Sequence, residues 1–153
     1  MQFGGRYLFS APRETVWAAL NDAATLQAAI PGCRRLDWTG PDALECEIQV
    51  SFGIVNPVFV GDLELRDVVP AERYTLSGRG RGGLLGKAEA AADIVLTDTE
   101  DGTVLDFTAQ GGADGGIMKF GKAVVGNSAQ KIIDGFFTRF GTAMGATVTP
   151  LAR

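Results

Sequence analysis

The sequence predicts an α+β domain in which a curved antiparallel sheet carries helices on one side and wraps a long C-terminal helix. Period-two alternation of apolar residues recurs from Leu36 to Ala109. It gives way to 3.6-residue periodicity from Gly116 to about Met144, and glycine-, proline- and acid-rich turns separate the alternating runs.

Phe3, Tyr7 and Phe9 alternate as a first strand. Pro12 suits the first turn of a helix, where its missing N–H is harmless, and Glu14 lies near the positive helix end. Val16, Trp17 and Leu20 give that helix an apolar side. Asn21-Asp22 breaks and recaps the chain, a second short helix carries Leu26 and Ile30, and Pro31-Gly32 stops it.

About six strands follow. Leu36 and Trp38 lead into a turn at Thr39–Asp42, and Leu44, Cys46, Ile48, Val50 and Phe52 alternate with Glu45, Glu47, Gln49 and Ser51. Phe59, Gly61, Leu63 and Leu65 form the inner side of the next strand, and Tyr74, Leu76, Gly78 and Gly80 that of another. After the glycine-rich segment Gly80–Gly86 come Ala88, Ala90, Ala92, Ile94 and Leu96, then Leu105, Phe107 and Ala109. The closing helix has a broad apolar face, and glycines 121, 126 and 135 within it mark bends or close packing on the sheet. With no linker and no repeat, residues 1–153 read as a single domain: a core of about 1–146 and a short tail, 147–153.

Composition narrows the function classes. The net charge of -4 argues against nucleic acid as a partner, which requires a clustered basic surface. Histidine is absent, which removes imidazole bases and His-ligated metals. Cys33 and Cys46 lack CxxC spacing. A turn pairing Trp38 with Ala43 sets them diagonal, and they read as reduced, packed thiols. No signal peptide and no apolar span of roughly 20 residues is present, so the expected location is cytoplasmic.

The chain resembles the SRPBCC superfamily of helix-grip, START-like domains, and within it the family of the carbon monoxide dehydrogenase G subunit. The resemblance rests on Phe9-Ser10-Ala11-Pro12 continuing through Val16-Trp17 to Leu20-Asn21-Asp22, and on Ile30-Pro31-Gly32-Cys33. Phe59-Val60-Gly61 and Gly115–Gly121 running into Asp134-Gly135-Phe136-Phe137 extend it over nearly the whole chain. It implies a closed apolar cavity rather than a catalytic constellation, with no catalytic residue, no metal and no tightly bound cofactor. It also implies an accessory role beside a molybdenum-containing hydroxylase of the carbon monoxide dehydrogenase type, in maturing it, placing it at the membrane or carrying quinone to it. Many members of the family continue into an apolar anchoring tail. This sequence ends at Arg153, so at most peripheral contact with the inner face of the membrane is expected.

The alanines at 88, 90 and 92 opposite a helix mean either space or a helix seated closer to the sheet. If space, a quinone or lipid would lie against Phe52, Phe59, Leu63, Leu76, Ala90, Phe107, Phe120, Val124 and Phe136. Each of these also reads as simple core, and Trp17 and Trp38 read as packing residues. The segment Gly78–Lys87 lacks the Gly-Lys-Ser/Thr ending of a phosphate-binding loop. It reads either as a plain hairpin loop or as a lid, with Leu84 and Leu85 covering the cavity and Arg79, Arg81 and Lys87 touching anionic headgroups. Two further readings stay open: a cyclase- or hydrolase-like enzyme acting on an apolar substrate, and a protein-binding assembly chaperone whose cavity is incidental.

Overall fold

A computed structural model describes residues 2–50, 54–83, 86–114 and 122–151. Strand β1 (Gln2–Phe9) leads to helices α1 (Arg13–Leu20) and α2 (Ala23–Ala29). Strands β2 (Cys33–Gly40), β3 (Ala43–Gln49), β4 (Val58–Val69), β5 (Arg73–Arg81), β6 (Lys87–Thr99) and β7 (Gly102–Asp114) follow. Helix α3 (Lys122–Met144) and strand β8 (Val148–Leu151) complete the chain. All neighbours pair antiparallel, in the order β2-β3-β4-β5-β6-β7-β1-β8. The meander from β2 to β7 is therefore extended by β1 and closed by β8.

The alternation decides which side chains face inward. Residues paired directly across strands share a face, so Leu44, Leu63, Gly78, Ala90 and Gly111 form one inward row and Cys46, Gly61, Gly80 and Ala88 the next. Glu45, Asp62, Arg79 and Glu89 form a row on the other face. The core joins Phe9, Val16 and Leu20 to Leu36, Leu44, Leu65, Tyr74, Leu96, Leu105 and the α3 residues Phe137 and Phe140.

Several local expectations are corrected. Pro12 is the residue before α1 rather than part of its first turn; its extended ψ of 153° places it at the N-cap. Asp22 caps α2 by accepting the Thr25 N–H at 3.3 Å. The β2–β3 hairpin is tighter than a four-residue turn: Gly40 pairs with Ala43 and Trp38 with Leu44. Cys33 thus opposes Ile48 and Cys46 opposes Leu36, and the cysteines remain diagonal. The stretch read as a tail supplies β8, which pairs Val148 with Phe9 and Leu151 with Arg6. Trp17 packs edge-on against Tyr74, with ring centroids 5.4 Å apart, whereas Trp38 is 36% exposed.

Two glycines explain how the short helices meet the rest. Gly32 has φ +77°, and a Cβ there would overlap the Gln49 carbonyl oxygen; the Gln49 N–H donates to the Gly32 carbonyl at 2.9 Å. A Cβ on Gly135 would lie 2.9 Å from Pro31 Cγ, so α3 is seated on the Pro31-Gly32 corner. Close packing there is against the loop after α2, not against the sheet.

Candidate functional site

Helix α3 has two differently packed halves. Its C-terminal half is embedded in aromatic rings. Tyr7 stacks on Phe137 with centroids 4.0 Å apart, Phe107 lies 5.2 Å from Phe137, and Phe140 contacts Phe9 at 5.8 Å and Phe136 at 5.4 Å. Gly5 makes room for this cluster, since a Cβ there would fall 2.9 Å from the Tyr7 ring and 3.1 Å from Phe107.

The N-terminal half crosses the small-residue rows instead. Val125, Ser128, Ala129 and Ile132 recur at i, i+3, i+4 and i+7, one face of the helix, and face Phe3, Val50, Phe59, Gly80, Ala88, Ala90 and Gly111 across a cavity of about 240 Å³. The cavity is partly open rather than closed as the resemblance implies, with Glu89 and Gly112 at its edge. Phe59 forms one wall, folded over Gly82, where a Cβ would come within 2.8 Å of the ring carbon Cζ. Among the described residues, the polar side chains bordering the space are Ser128 and Glu89. Glu89 belongs to the outward row and lies 4.0 Å from Arg79. A broader depression of about 880 Å³ is bordered by Asp62, Glu64, Arg66, Arg79 and Glu89 together with Leu44, Leu63 and Ala90. Its charged side chains favour water over a wholly apolar ligand.

Of the residues expected to meet a ligand, Phe59 and Ala90 border the 240 Å³ cavity. Leu63 lies over Gly78 and packs on the core, as does Leu76. Phe107 and Phe136 belong to the aromatic cluster. Phe52, Phe120, Leu84, Leu85 and the side chain of Val124 lie outside the described residues, as does the glycine-rich segment 115–121. Arg79 and Arg81 are strand residues whose register turns them to the face opposite the cavity, so neither closes over it. Phe3, Val50, Ala88, Val125, Ser128, Ala129 and Ile132 are wall residues outside the expected set.

Titratable groups in the interior are driven toward their neutral forms. Burial raises the Tyr7 phenol above its ordinary value, and the negative charge of Asp134 adds to this. Burial alone raises Tyr74. Burial also raises Cys33, opposed by the hydrogen bond its thiol donates to the Arg35 carbonyl at 3.4 Å. The Cys46 thiol is pushed up to about 11, first by burial and then by neighbouring Cys33. Raised thiols carry little thiolate, so neither cysteine is an activated nucleophile. Among the described residues, no group of three or more His, Cys, Asp or Glu is placed to hold a metal ion.

The Cys46 shift has a consequence for stability. Between pH 9.0 and about 11 the folded chain keeps a proton that the unfolded chain has lost. The contribution is whole below pH 9.0 and disappears as pH rises toward 11, a loss of about 3 kcal/mol. Tyr7 and Tyr74 act in the same direction at higher pH. Denaturant unfolding across this range should show a shallower fall for Cys46→Ala than for the wild type; equal slopes would contradict the assignment.

Residues 5–145 match the model of the family described as the G subunit of carbon monoxide dehydrogenase (CoxG). The chain belongs to the CoxG family. A conserved protein from Geobacillus kaustophilus superposes on this CoxG chain with a TM-score of 0.84 at 26% identity, covering 97% of this chain and 99% of that one. A protein from Rhizobium leguminosarum gives 0.68 at 14% identity over 95% and 98% of the two chains, and one from Thermus thermophilus gives 0.67 at 13% over 94% and 97%. These likenesses place the CoxG chain in the helix-grip, SRPBCC-like fold. Comparison with curated proteins gives no match. CoxG is a family of accessory subunits, and membership points to a role beside carbon monoxide dehydrogenase. Among the described residues, no helix is long and apolar enough to cross a membrane.

Proposed function

We propose that this CoxG chain is a non-catalytic carrier of an apolar small molecule, a quinone or a lipid, serving a molybdenum-containing hydroxylase of the carbon monoxide dehydrogenase type. The observation that carries the reading is the cavity of about 240 Å³ beneath the first half of α3, walled by Phe3, Val50, Phe59, Val125 and Ile132. Its size narrows the cargo. A cavity of about 150 Å³ admits benzene, whereas whole drug-sized ligands occupy about 300–1,000 Å³. The space suits one ring or the end of one chain, with the remainder leaving through the open side. Affinity would come from apolar area removed from water, at about 25 cal/mol per Å².

An enzymatic role would require an acid or base aimed at the substrate. The carboxylate nearest the space, Glu89, faces outward and stands beside Arg79, which favours carriage over catalysis. Maturation, membrane recruitment and delivery of electrons to quinone are all roles such a carrier can serve beside its enzyme. Native mass spectrometry of the purified protein, before and after solvent extraction and re-addition of quinones and fatty acids, tests the proposal. A bound apolar molecule or stoichiometric uptake supports it. A protein that carries nothing and takes up neither class overturns it. Capture of the hydroxylase that persists when the cavity is plugged would favour the assembly-chaperone reading instead.

A further inference from the structure

The sheet ends at β2 on one side and at β8 on the other, and the two edges differ in what their backbones offer. In an antiparallel ladder, successive residues turn their N–H and C=O groups alternately to one neighbour and the other. At β8 the Ser10 N–H donates to the Thr147 carbonyl at 3.0 Å, and the register from there bonds Leu8 to Thr149 and Arg6 to Leu151. Pro150, opposite Tyr7, therefore faces outward, and its missing N–H leaves that edge without a donor there.

Strand β2 has no such block. The Val50 N–H donates to the Pro57 carbonyl at 2.9 Å and the Leu65 N–H to the Asp42 carbonyl at 2.8 Å, so the even-numbered residues of β3 face β4. The Gln49 N–H donates to the Gly32 carbonyl at 2.9 Å, so the odd-numbered ones face β2, and Glu45 and Glu47 bond to Asp37 and Arg35. Leu36 and Trp38 then turn their N–H and C=O groups to the open side, where no strand receives them among the described residues. Irregular pairing brackets this stretch, between Cys33 and Arg35 and between Trp38 and Gly40. Gln27 Nε2 donates to the Arg34 carbonyl at 3.3 Å and covers the edge just before it. What stays open is Leu36 to Trp38, ending on an exposed indole.

The charges on this stretch select how a second strand can lie against it. Arg35 donates to Asp37 Oδ2 at 3.1 Å and to Glu45 Oε1 at 2.6 Å, and it stands opposite Glu47. Asp37 stands opposite Glu45, with Asp62 beyond it in the same row. One guanidinium thus serves several carboxylates. Two β2 strands paired antiparallel, with Leu36 opposite Leu36, set Arg35 of each copy opposite Asp37 of the other. A slip that sets Trp38 opposite Leu36 instead puts Asp37 opposite Asp37, each already beside a Glu45.

We infer that the open stretch of β2 pairs with the same stretch of a second copy of this chain, Leu36 against Leu36, in a weak two-fold dimer. The two Leu36 residues exchange backbone bonds. Each Trp38 N–H meets the Arg34 carbonyl of the other copy, whose oxygen keeps a lone pair beyond the one Gln27 uses. So short a stretch falls below the roughly 800 Å² per partner of a stable interface, which makes the dimer a low-affinity one. Pro150 guards the opposite edge, so association stops at two copies. A strand from another protein would meet the same backbone groups without the Arg35–Asp37 match. The inference is independent of the carrier reading, since β2 supplies no residue to the cavity wall.

Sedimentation equilibrium tests it. Wild type should be monomeric at about 5 µM and mainly dimeric at about 500 µM. Asp37→Asn should raise the dissociation constant about fivefold, because both cross-strand ion pairs are lost. Trp38→Pro should raise it about thirtyfold relative to Trp38→Val, because proline removes the N–H that faces the other copy and leaves the bonds to β3 in place. An oxidised equimolar mixture of Arg35→Cys and Asp37→Cys should give the mixed disulfide dimer in preference to either variant's own, since the two positions lie directly opposite. Menadione uptake, read by tryptophan quenching, should be the same for wild type and Asp37→Asn.

Wild type that stays monomeric at about 500 µM overturns the inference. So does Asp37→Asn that tightens the dimer, which is what strands paired through Asp37 would do. Trp38→Pro that dimerises as well as Trp38→Val, or equal yields of the mixed and unmixed disulfides, likewise places the contact away from this edge.

Discussion

Phe140→Ala is expected to destabilise the folded chain by about 3–5 kcal/mol, the range for removing a fully buried aromatic side chain from a core. Phe140 is 0% exposed and touches both Phe9 of the first strand and Phe136 of its own helix. Its ring ties the C-terminal half of α3 to the sheet. The better helix propensity of alanine returns only about 0.5 kcal/mol. For a chain of this size the melting temperature should fall by about 2–4 °C per kcal/mol, so about 6–20 °C in all. The cavity lies along the other half of the helix, at Val125 to Ile132. Affinity for an apolar probe, measured below the melting transition, should therefore change little. A loss of stability under about 1 kcal/mol would mean that the cluster is looser than the ring distances imply. Phe136→Ala, at a half-buried position, should cost less.

That division of α3 also marks where sequence reading stops. The face each strand residue takes was legible, because period two leaves no alternative: Leu44 and Cys46, Leu63 and Leu65, and Ala88 and Ala90 all turn inward as the alternation demands. Position along the strand was not. Phe59 and Phe107 obey the same alternation, yet one borders the cavity and the other stacks near Tyr7. The difference arises from where α3 lies over the sheet, and that is set by the seat of Gly135 on Pro31 and by Gly141 beside Val148. These contacts join residues far apart in sequence, beyond the reach of any local pattern. Strand β8 escaped for the same reason, since four residues containing Pro150 gain strand character only by pairing with β1. Ser128 and Ala129 are hard to single out because large apolar side chains, the obvious signal, mark residues that fill space rather than those that leave it. Their spacing with Val125 and Ile132 was the available signal.

Ala129→Phe should abolish most binding of a ring-sized apolar ligand without unfolding the protein. The expected loss is about a hundredfold in affinity. A cavity of about 150 Å³ suffices for benzene, so a phenyl ring placed in the cavity of about 240 Å³ leaves too little room for a second ring. The ligand then forfeits the transfer of roughly one aromatic side chain out of water, about 1.5–3 kcal/mol, together with the contacts that chain made. Ala129 lies in the wall on α3 opposite Ala88, Ala90 and Phe59, so the new ring points into existing space rather than into packed atoms. Overpacking costs of about 1–3 kcal/mol apply to filled cores; here the added apolar burial should hold stability level or raise it. Menadione quenching and thermal melts read the two effects independently. Unchanged affinity with a raised melting temperature would place the ligand elsewhere on the protein. Lost affinity with an unchanged or raised melting temperature is the result a carrier built around this cavity requires.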